Sequence, residues 1–383
     1  MNMKARLGDY IQEYSVKNKK DEDIPVYSVT NTQGFCRDYF GKEVASKDKT
    51  TYKIVPKGCF AYNPSRINVG SVDWQRNEER VIVSPLYNVF SVSDQLDCQY
   101  LYYYLKSDIA LQRIRTVATG SVRDNLRFEM LREFPINLPD INGQKVIVEK
   151  LDGLQNIMKL REQQLSKLDE LIKARFVEMF EKESDENVYR LEDISDIVSG
   201  ITKGRKTKET EFREVPYMAV SNVKDGYIDW TTVKTILATE DEISLYKLLP
   251  NDVLMTEGGD PDKLGRGAII TEPPKDCIHQ NHIFRVRLDK KRVLPRYFSA
   301  YLQSSTAKKY FLKAAKQTTG IASINMTQLR GLPTNVPTLD RQREYAEFCE
   351  QVDKSKVIVQ KSLDETQILF DSLMQEYFGQ APK

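Results

Sequence analysis

The clearest pattern of apolar and polar positions is a heptad repeat in two long segments. Seam positions step by alternating four and three residues from Ile147 to Met179, and again from Tyr345 to Tyr377, 198 residues later. Such a repeat, sustained over nearly five heptads without an internal proline, predicts two long helices with a coiled-coil seam. The predicted seam is Ile147, Leu151, Leu154, Met158, Arg161, Leu165, Leu168, Ile172, Arg175 and Met179 in the first helix, and Tyr345, Cys349, Val352, Lys356, Val359, Leu363, Thr366, Phe370, Leu373 and Tyr377 in the second.

The region that precedes each long helix starts with short strand-like runs. VPYMAVSNV (215–223) and DVLMT (252–256) are apolar or β-branched runs bounded by Gly, Asp and Pro, which predicts strands. CIHQNHIFRVRL (277–288) alternates well enough to predict one strand. The helical spacing of YLYYYLKSDIALQRIR (100–115) and RYFSAYLQSSTAKKYFLKAA (296–315) predicts helices near the end of each half.

A short proline-pinned stretch occurs twice. LREFPINLP (131–139) matches LRGLPTNVP (329–337), and TGSVRDNL (119–126) before it matches TGIASINM (319–326). Proline fixes its own φ and moves its predecessor out of the α region, so both stretches are predicted to be extended. The chain therefore contains two copies of one internal repeat.

The repeat and the helices together predict the fold class. Two seams of the same phase and length favour pairing between the two helices, and a pseudo-two-fold relation favours the antiparallel direction. We predict an α+β fold with two β-rich globular domains separated by two long helices that form an antiparallel coiled coil. The predicted segments are 1–140 and 187–338 for the globular domains, and 141–186 and 339–383 for the helices.

Composition narrows the class of protein. The apolar fraction is 40% and the charged fraction 29%, and no run of 18 apolar residues exists, so no membrane span is predicted. The N-terminal residues lack the features of a secretory signal, and the five cysteines are scattered without CxxC spacing. Both observations favour reduced thiols and a cytoplasmic location.

The motifs that carry chemistry are weak. GITKGRK (200–206) lacks phosphate-loop spacing, and EGGDPDKLGRG (257–267) is not a dinucleotide motif. Cys277, His279 and His282 lie close in sequence, but alternation along a strand would separate His282 from the other two. These are the only two histidines in the chain, so histidine catalysis has little support. We predict a binding protein with no catalytic residue, metal or cofactor of its own.

The most specific stretches are TGSVRDNL and FPINLPDINGQ within 119–144, and TGIASINM and LPTNVPTLDRQ within 319–342. Together with the heptad helices, they resemble the DNA specificity subunit of type I restriction-modification systems. The resemblance implies that each globular domain is a target-recognition domain that reads one half of a split DNA site. It implies that the helices set the spacing and dock two modification methyltransferase subunits, which bind S-adenosylmethionine and methylate adenine N6, and that restriction nuclease-translocase subunits join them. The alternatives are the specificity subunit of a related type II (type IIB-like) system, or a coiled-coil adaptor without a DNA role.

Base reading requires side chains that bind two groups at once, and phosphate contact requires cations, hydroxyls and backbone N–H groups. Polar residues on predicted loops and the two TG turns are therefore the candidates for DNA contact. They are Thr30, Asn31, Asn63, Arg66, Thr119, Gly120, Ser121 and Arg123 in the first half, and Ser221, Asn222, Arg266, Gln280, Asn281, Lys316, Thr318, Thr319 and Gly320 in the second.

Overall fold

The computed structural model describes residues 3–37, 48–118, 125–181, 187–206, 211–259, 264–318 and 321–379. Contacts between residues divide the chain into two units. Unit 1 contains Met1–Gln163 and Val359–Lys383, and unit 2 contains Gln164–Ile358. Each unit therefore combines one globular half with a part of each long helix. Among the helices of the described ranges, none has the length and apolar character needed to cross a membrane.

Unit 1 contains mostly short antiparallel strands, with helices near the end of its globular half. Its strands are β1 (Met3–Arg6), β2 (Ile11–Glu13), β3 (Ser28–Thr30), β4 (Gly34–Cys36), β5 (Lys53–Pro56), β6 (Phe60–Tyr62), β7 (Val72–Trp74), β8 (Arg80–Val83), β9 (Asn88–Val92) and β10 (Pro135–Leu138), and its helices are α1 (Cys98–Lys106), α2 (Asp108–Val117) and α3 (Phe128–Arg132). The largest sheet has the order β2-β9-β6-β7, and β3 pairs with β4, β5 with β8, and β1 with β10.

Unit 2 repeats this order with a different strand arrangement. Its strands are β11 (Val188–Arg190), β12 (Ser195–Ser199), β13 (Arg213–Met218), β14 (Lys234–Ala238), β15 (Val253–Thr256), β16 (Gly258–Gly259), β17 (Gly267–Ile269), β18 (Ile278–His279), β19 (Ile283–Leu288), β20 (Lys316–Thr318), β21 (Ile321–Ser323) and β22 (Pro333–Asn335), and its helices are α5 (Glu240–Tyr246), α6 (Pro295–Leu302), α7 (Ser305–Ala314) and α8 (Met326–Arg330). The sheets have the orders β12-β19-β15-β17, β14-β13-β18 and β16-β21-β20, and β11 pairs with β22.

The residues 277–288 do not form the single strand that alternation predicted. β18 ends at His279 and β19 begins at Ile283. A turn separates them, because the N–H of Gln280 bonds to Met218 O and the N–H of Ile283 bonds to Gln280 O. Apolar alternation continues across a tight turn, so the pattern alone did not reveal the break.

The two proline-pinned stretches form strands, β10 and β22. Each pairs antiparallel with the first strand of its own unit, β1 or β11. Tyrosine hydroxyls hold both strands in the same way: Tyr100 donates to Asn137 O at 2.6 Å, and Tyr297 donates to Asn335 O at 2.7 Å. The predicted extended conformation is confirmed, and each copy is joined to a helix of its own half, α1 or α6.

Two long helices follow these strands. They are α4 (Ile141–Phe176), which continues as a π-helical turn to Glu181, and α9 (Leu339–Phe378). All 20 predicted seam positions are buried or half-buried, whereas most positions between them are exposed. Each long helix therefore buries one apolar stripe and exposes the rest of its surface, as amphipathic helices do.

Within unit 2, the end of α4 pairs with the start of α9. Arg175 bonds to Glu344 at 2.7 Å, and Lys356 bonds to Asp169 at 2.6 Å. The position on α4 falls as the position on α9 rises, so this pair of segments is antiparallel. Tyr345 is fully buried there between Phe176 and Phe180. Two repeated halves with mixed helices and strands and two long helices confirm the predicted fold class.

Candidate nucleic-acid interface

In unit 1, the turn between β3 and β4 presents polar side chains. Asn31, Thr32 and Gln33 are exposed, whereas Thr30 is buried. The hydroxyl of Thr30 accepts a hydrogen bond from the N–H of Gln33 at 3.0 Å. Of the two residues proposed from sequence here, Asn31 is presented to solvent and Thr30 shapes the turn beneath it.

A lysine joins this turn to a second loop. Lys106, the last residue of α1, donates from Nζ to Asn31 O at 3.1 Å and also to Gly70 O. Its ammonium group lies 5.5 Å from the centre of the Tyr102 ring. Burial lowers the pKa of Lys106. The ammonium group is therefore part of the structure rather than a mobile surface charge.

The second loop, residues 63–70, carries Asn63 and Arg66. The amide oxygen of Asn63 accepts from the N–H of Ser65 at 3.1 Å, so it caps the local turn, whereas Arg66 is exposed. Arg115, near the end of α2, donates from Nε to Asn68 O at 3.2 Å. The two loops and the end of α2 thus form one continuous polar surface with cations on it.

Thr119, Gly120, Ser121 and Arg123 fall outside the described residues. Leu126 follows them, and its N–H bonds to Pro64 O at 3.1 Å. Where the described chain resumes, it therefore lies next to the second loop of this surface.

In unit 2, the residues that match Thr30 and Asn31 have exchanged exposure. Ser221 is exposed, and Asn222, in a 3-10 turn, is 1% exposed. The Asn222 amide accepts from Ala219 N at 2.9 Å and donates to Asp229 O at 2.9 Å. Asn222 therefore holds the following loop together, and Ser221 is the residue that the surface presents.

Gln280, Asn281 and Arg266 are half-buried in unit 2. The side chain of Gln280 accepts from Val220 N at 3.3 Å, and the N–H of Asn281 bonds to Ile201 O at 3.1 Å. Gln280 thus ties the turn after β18 to the segment that carries Ser221. These predicted contacts lie on neighbouring loops of one unit.

The predicted residues Lys316 and Thr318 lie in β20. This strand pairs with β21, and β21 pairs with the Gly258–Gly259 strand, β16. Thr319 and Gly320, between β20 and β21, fall outside the described residues. Two residues of the glycine-rich stretch 257–267, Gly258 and Gly259, thus form one edge of this small sheet.

The two histidines do not lie together. His279 is buried, with ring nitrogens 3.1 Å from Tyr246 O and 3.3 Å from Val198 O, and burial lowers its pKa to about 4. His282 is exposed and pairs with Glu257 at 2.6 Å. Within the described ranges, no group of three or more His, Cys, Asp or Glu residues is placed to hold a metal ion.

Sequence reasoning missed Thr32, Gln33 and Lys106. The matching dipeptides Thr30-Asn31 and Ser221-Asn222 mark only the start of the turn, and Thr32 and Gln33 have no counterpart in the second half that would point to them. Lys106 ends a helix, where a basic residue is ordinary. Its role depends on loops more than 30 residues away in sequence, and no local pattern encodes that contact.

Several apolar side chains outside the seam of the long helices are exposed. Large exposed fractions occur at Leu160 (63%) on α4 and at Ile358 (70%) and Ile368 (68%) on α9. We call these three residues, with Val357 and Leu369, the exposed helix residues. Apolar side chains exposed on a helix are available for contact with another protein.

Two β-rich halves, each with polar loops and each joined to a heptad helix, define a duplicated recognition protein. The family comparison gives the class. Residues 7–170 and 183–366 each match the type I restriction modification DNA specificity domain. The chain belongs to this family. It is a specificity subunit of a type I restriction-modification system, and its function is DNA sequence recognition.

Relatives and solved structures agree with this assignment. The chain is 20% identical over 395 residues to the EcoKI specificity subunit of Escherichia coli (strain K12), covering 97% of this chain and 84% of the relative. It is 21% identical, with the same coverage, to the StySPI specificity subunit of Salmonella potsdam.

The fold is shared with a chain from a structural study of complex assembly and conformational transition of the type I R-M system, with a TM-score of 0.65, 14% identity and coverage of 98% and 97%. It is also shared with the type I S subunit from M. genitalium, with a TM-score of 0.52, 16% identity and coverage of 99% and 96%. The resemblance read from the sequence is confirmed.

Proposed function

We propose that each globular half reads one half of a bipartite DNA sequence. We call the hydrogen bonds that hold a globular half to the long helix after it the joint. The observation that supports this proposal is that the chain contains two joints with the same contacts. Gln144 and Gln342, both fully buried, each make three hydrogen bonds to the backbone at matching places. A protein that binds two half-sites needs two such fixed joints.

The contacts proposed for DNA are the polar residues that the loops present. In the first half they are Asn31, Arg66 and the cations beside them, and in the second half Ser221, Arg266 and Asn281. Thr30, Asn63, Asn222 and Gln280 bond to the backbone and support these loops. The residues of both TG turns remain proposed contacts from their sequence alone.

The paired helices are proposed to set the distance between the half-sites. α9 contains 40 residues, which at 1.5 Å per residue gives a length of about 60 Å. One turn of B-DNA is about 34–36 Å, so a helix of this length matches about one and a half turns or more. A change in helix length should therefore change the spacer of the recognised site.

The exposed helix residues are proposed as contacts for modification methyltransferase subunits. Their side chains supply apolar area of the kind that stable protein interfaces bury. We propose that these partners bind S-adenosylmethionine and methylate adenine N6, that restriction nuclease-translocase subunits cleave the DNA, and that this chain contributes no catalytic group.

The test is an exchange of residues 187–338 for the corresponding segment of another specificity subunit. The reconstituted methyltransferase complex is then used to map N6-methyladenine across a genome. We expect one half of the methylated sequence to change while the other half and the spacer length stay the same. The two-reader proposal is wrong if both halves change, or if the exchange leaves the whole sequence unaltered.

A further inference from the structure

The turn between β3 and β4 has three consecutive exposed polar residues on a rigid support. Asn31, Thr32 and Gln33 form its outer edge. Two of the three side chains are amides, which bind the N6 and N7 groups of adenine with two hydrogen bonds.

A buried carboxylate holds the inner side of the turn. Asp73, 5% exposed, accepts from the N–H of Phe35 at 3.0 Å, from the N–H of Trp74 at 2.9 Å and from Arg76 at 2.7 Å. Gly34 has a φ of +62°, and a Cβ at this position would lie 1.9 Å from the Asp73 carboxylate. Only glycine allows the backbone to approach the carboxylate so closely.

Lys106 holds the outer side of the same turn. Its ammonium group bonds to the carbonyl oxygen of Asn31 and to that of Gly70. The bond to Asn31 uses the backbone and leaves the Asn31 amide exposed. The turn is thus fixed from both sides before any ligand arrives, which lowers the entropic cost of binding.

The surroundings of the turn suit DNA. Lys106 connects it to the loop that carries Arg66, and Arg115 bonds to the same loop at Asn68 O. Exposed cations beside amides give phosphate contact and base contact on one surface. Salt-dependent phosphate binding would bring the turn into the groove, and the amides would then select the base pair.

We propose that the Asn31–Gln33 turn is the base-reading element of the first half, that it recognises an A·T base pair through Asn31 or Gln33, and that Lys106 and Asp73 are positioning residues. This proposal rests on the proposed function, because it requires that unit 1 reads a half-site.

The experiment uses the full chain reconstituted with its methyltransferase partners. The recognised sequence is first mapped by methylation, and binding is then measured on duplexes in which each base pair of both half-sites is changed in turn. We expect Asn31→Ala or Gln33→Ala to weaken binding to the cognate duplex by about 10- to 100-fold, the loss of one two-bond contact to a base. Discrimination should vanish at one A·T pair of the first half and persist in the second half.

Lys106 is tested by Lys106→Met, which keeps the apolar stem and removes the ammonium group. We expect the same base pair to lose discrimination, with recovery in Lys106→Arg because a guanidinium can also donate to two carbonyls. Gln12→Ala, at an exposed amide on β2, is the matched control and should leave every position unchanged.

The outcomes separate the two proposals. Full discrimination by both amide variants at every position of the first half would overturn the reading role of the turn. A uniform loss on all duplexes would overturn it too, because that pattern is the signature of a phosphate contact. Both results leave the two-reader proposal intact, whereas a wild-type complex with no sequence preference would defeat the proposed function itself.

Discussion

The two units share one joint but differ around it. At the joint, Gln144 accepts from Asp97 N at 2.8 Å and Gln342 accepts from Leu294 N at 2.7 Å, and both donate to the carbonyl of the preceding proline. The match extends to Tyr100 and Tyr297, whose hydroxyls donate to backbone carbonyls of β10 and β22. The two copies therefore keep the same hydrogen bonds between globular half and helix although the sequences around them differ.

The groove beside α2 shows where the copies diverge. In unit 1 a groove of about 610 Å³ lies between α2 and residues 130–135, with Arg113 and Phe134 in its lining. In unit 2 the residue at the position of Arg113 is Tyr310, whose hydroxyl donates to Gln328 O at 2.8 Å. Gly331, where unit 1 has Glu133, leaves room for that hydroxyl. Surfaces next to the joint are thus free to change.

Phe180 and Phe378 allow the aromatic packing inside unit 2 to be compared with the aromatic packing inside unit 1. Phe180 lies 4.9 Å from Tyr297 in unit 2, and Phe378 lies 5.1 Å from Tyr100 in unit 1, measured between ring centres. We expect Phe→Ala at either position to cost about 3–5 kcal/mol of its own unit's stability, since both rings are buried.

The two tryptophans allow the stability of each unit to be measured separately, because Trp74 lies in unit 1 and Trp230 in unit 2. Urea unfolding of W74F or W230F backgrounds follows one unit at a time by fluorescence. Leu369→Ala, at a half-exposed position of α9, is the control and should change stability by less than about 0.5 kcal/mol. Equal stability of Phe378→Ala and wild type in unit 1 would contradict the packing.

Gln144→Leu and Gln342→Leu test whether the joint is equivalent in both copies. Each substitution leaves one N–H and two carbonyl groups without a partner, and we expect a loss of about 3 kcal/mol. The two losses should agree within about 1 kcal/mol, measured by the same single-tryptophan unfolding. Gln367→Leu, exposed on α9, is the control; a large difference between the two joints would break the comparison.

His279 gives unit 2 a contribution to stability that is lost in acid. Burial lowers its pKa to about 4, so the unfolded chain, with a pKa near 6.5, binds the proton first. The stability is fully present above about pH 6.5 and falls as the pH approaches 4, by about 2 kcal/mol at pH 5.

The Trp230 signal should therefore show a lower urea midpoint at pH 5 than at pH 7, and His279→Gln should flatten this dependence. Both histidines of the chain lie in unit 2, so unit 1 lacks this contribution. His282→Gln is the control. An unchanged midpoint would show that the neutral imidazole is not required.

Tyr310 gives the smallest expected effect. Tyr310→Ala removes a half-buried ring and one hydrogen bond, so we expect a loss of about 1–2 kcal/mol in unit 2. The loss is measured from the urea midpoint of the Trp230 signal, with Lys309→Ala at the exposed neighbouring position as the control. An unchanged midpoint for Tyr310→Ala would contradict the contribution of this ring to unit 2.

The heptad helices and the extended stretches followed directly from sequence, because period and proline chemistry are local properties. The recognition loops did not. The dipeptides Thr30-Asn31 and Ser221-Asn222 match, yet only one asparagine is exposed. Gly34 allows a hairpin in the first copy, whereas Val223 is buried in a core cluster and draws the chain inwards in the second. Such differences depend on distant contacts. The segment boundaries remain predictions.

The membership of α9 in both units sets an order of folding. All residues of unit 2 precede Val359, whereas the core of unit 1 also requires Phe370 and Phe378. At a synthesis rate of roughly 5–20 residues per second, unit 2 gains its full set of residues a few seconds earlier. Until then Tyr100 and Tyr104 lack the ring that covers them. The half of the protein that the ribosome makes first is therefore the half that finishes folding last.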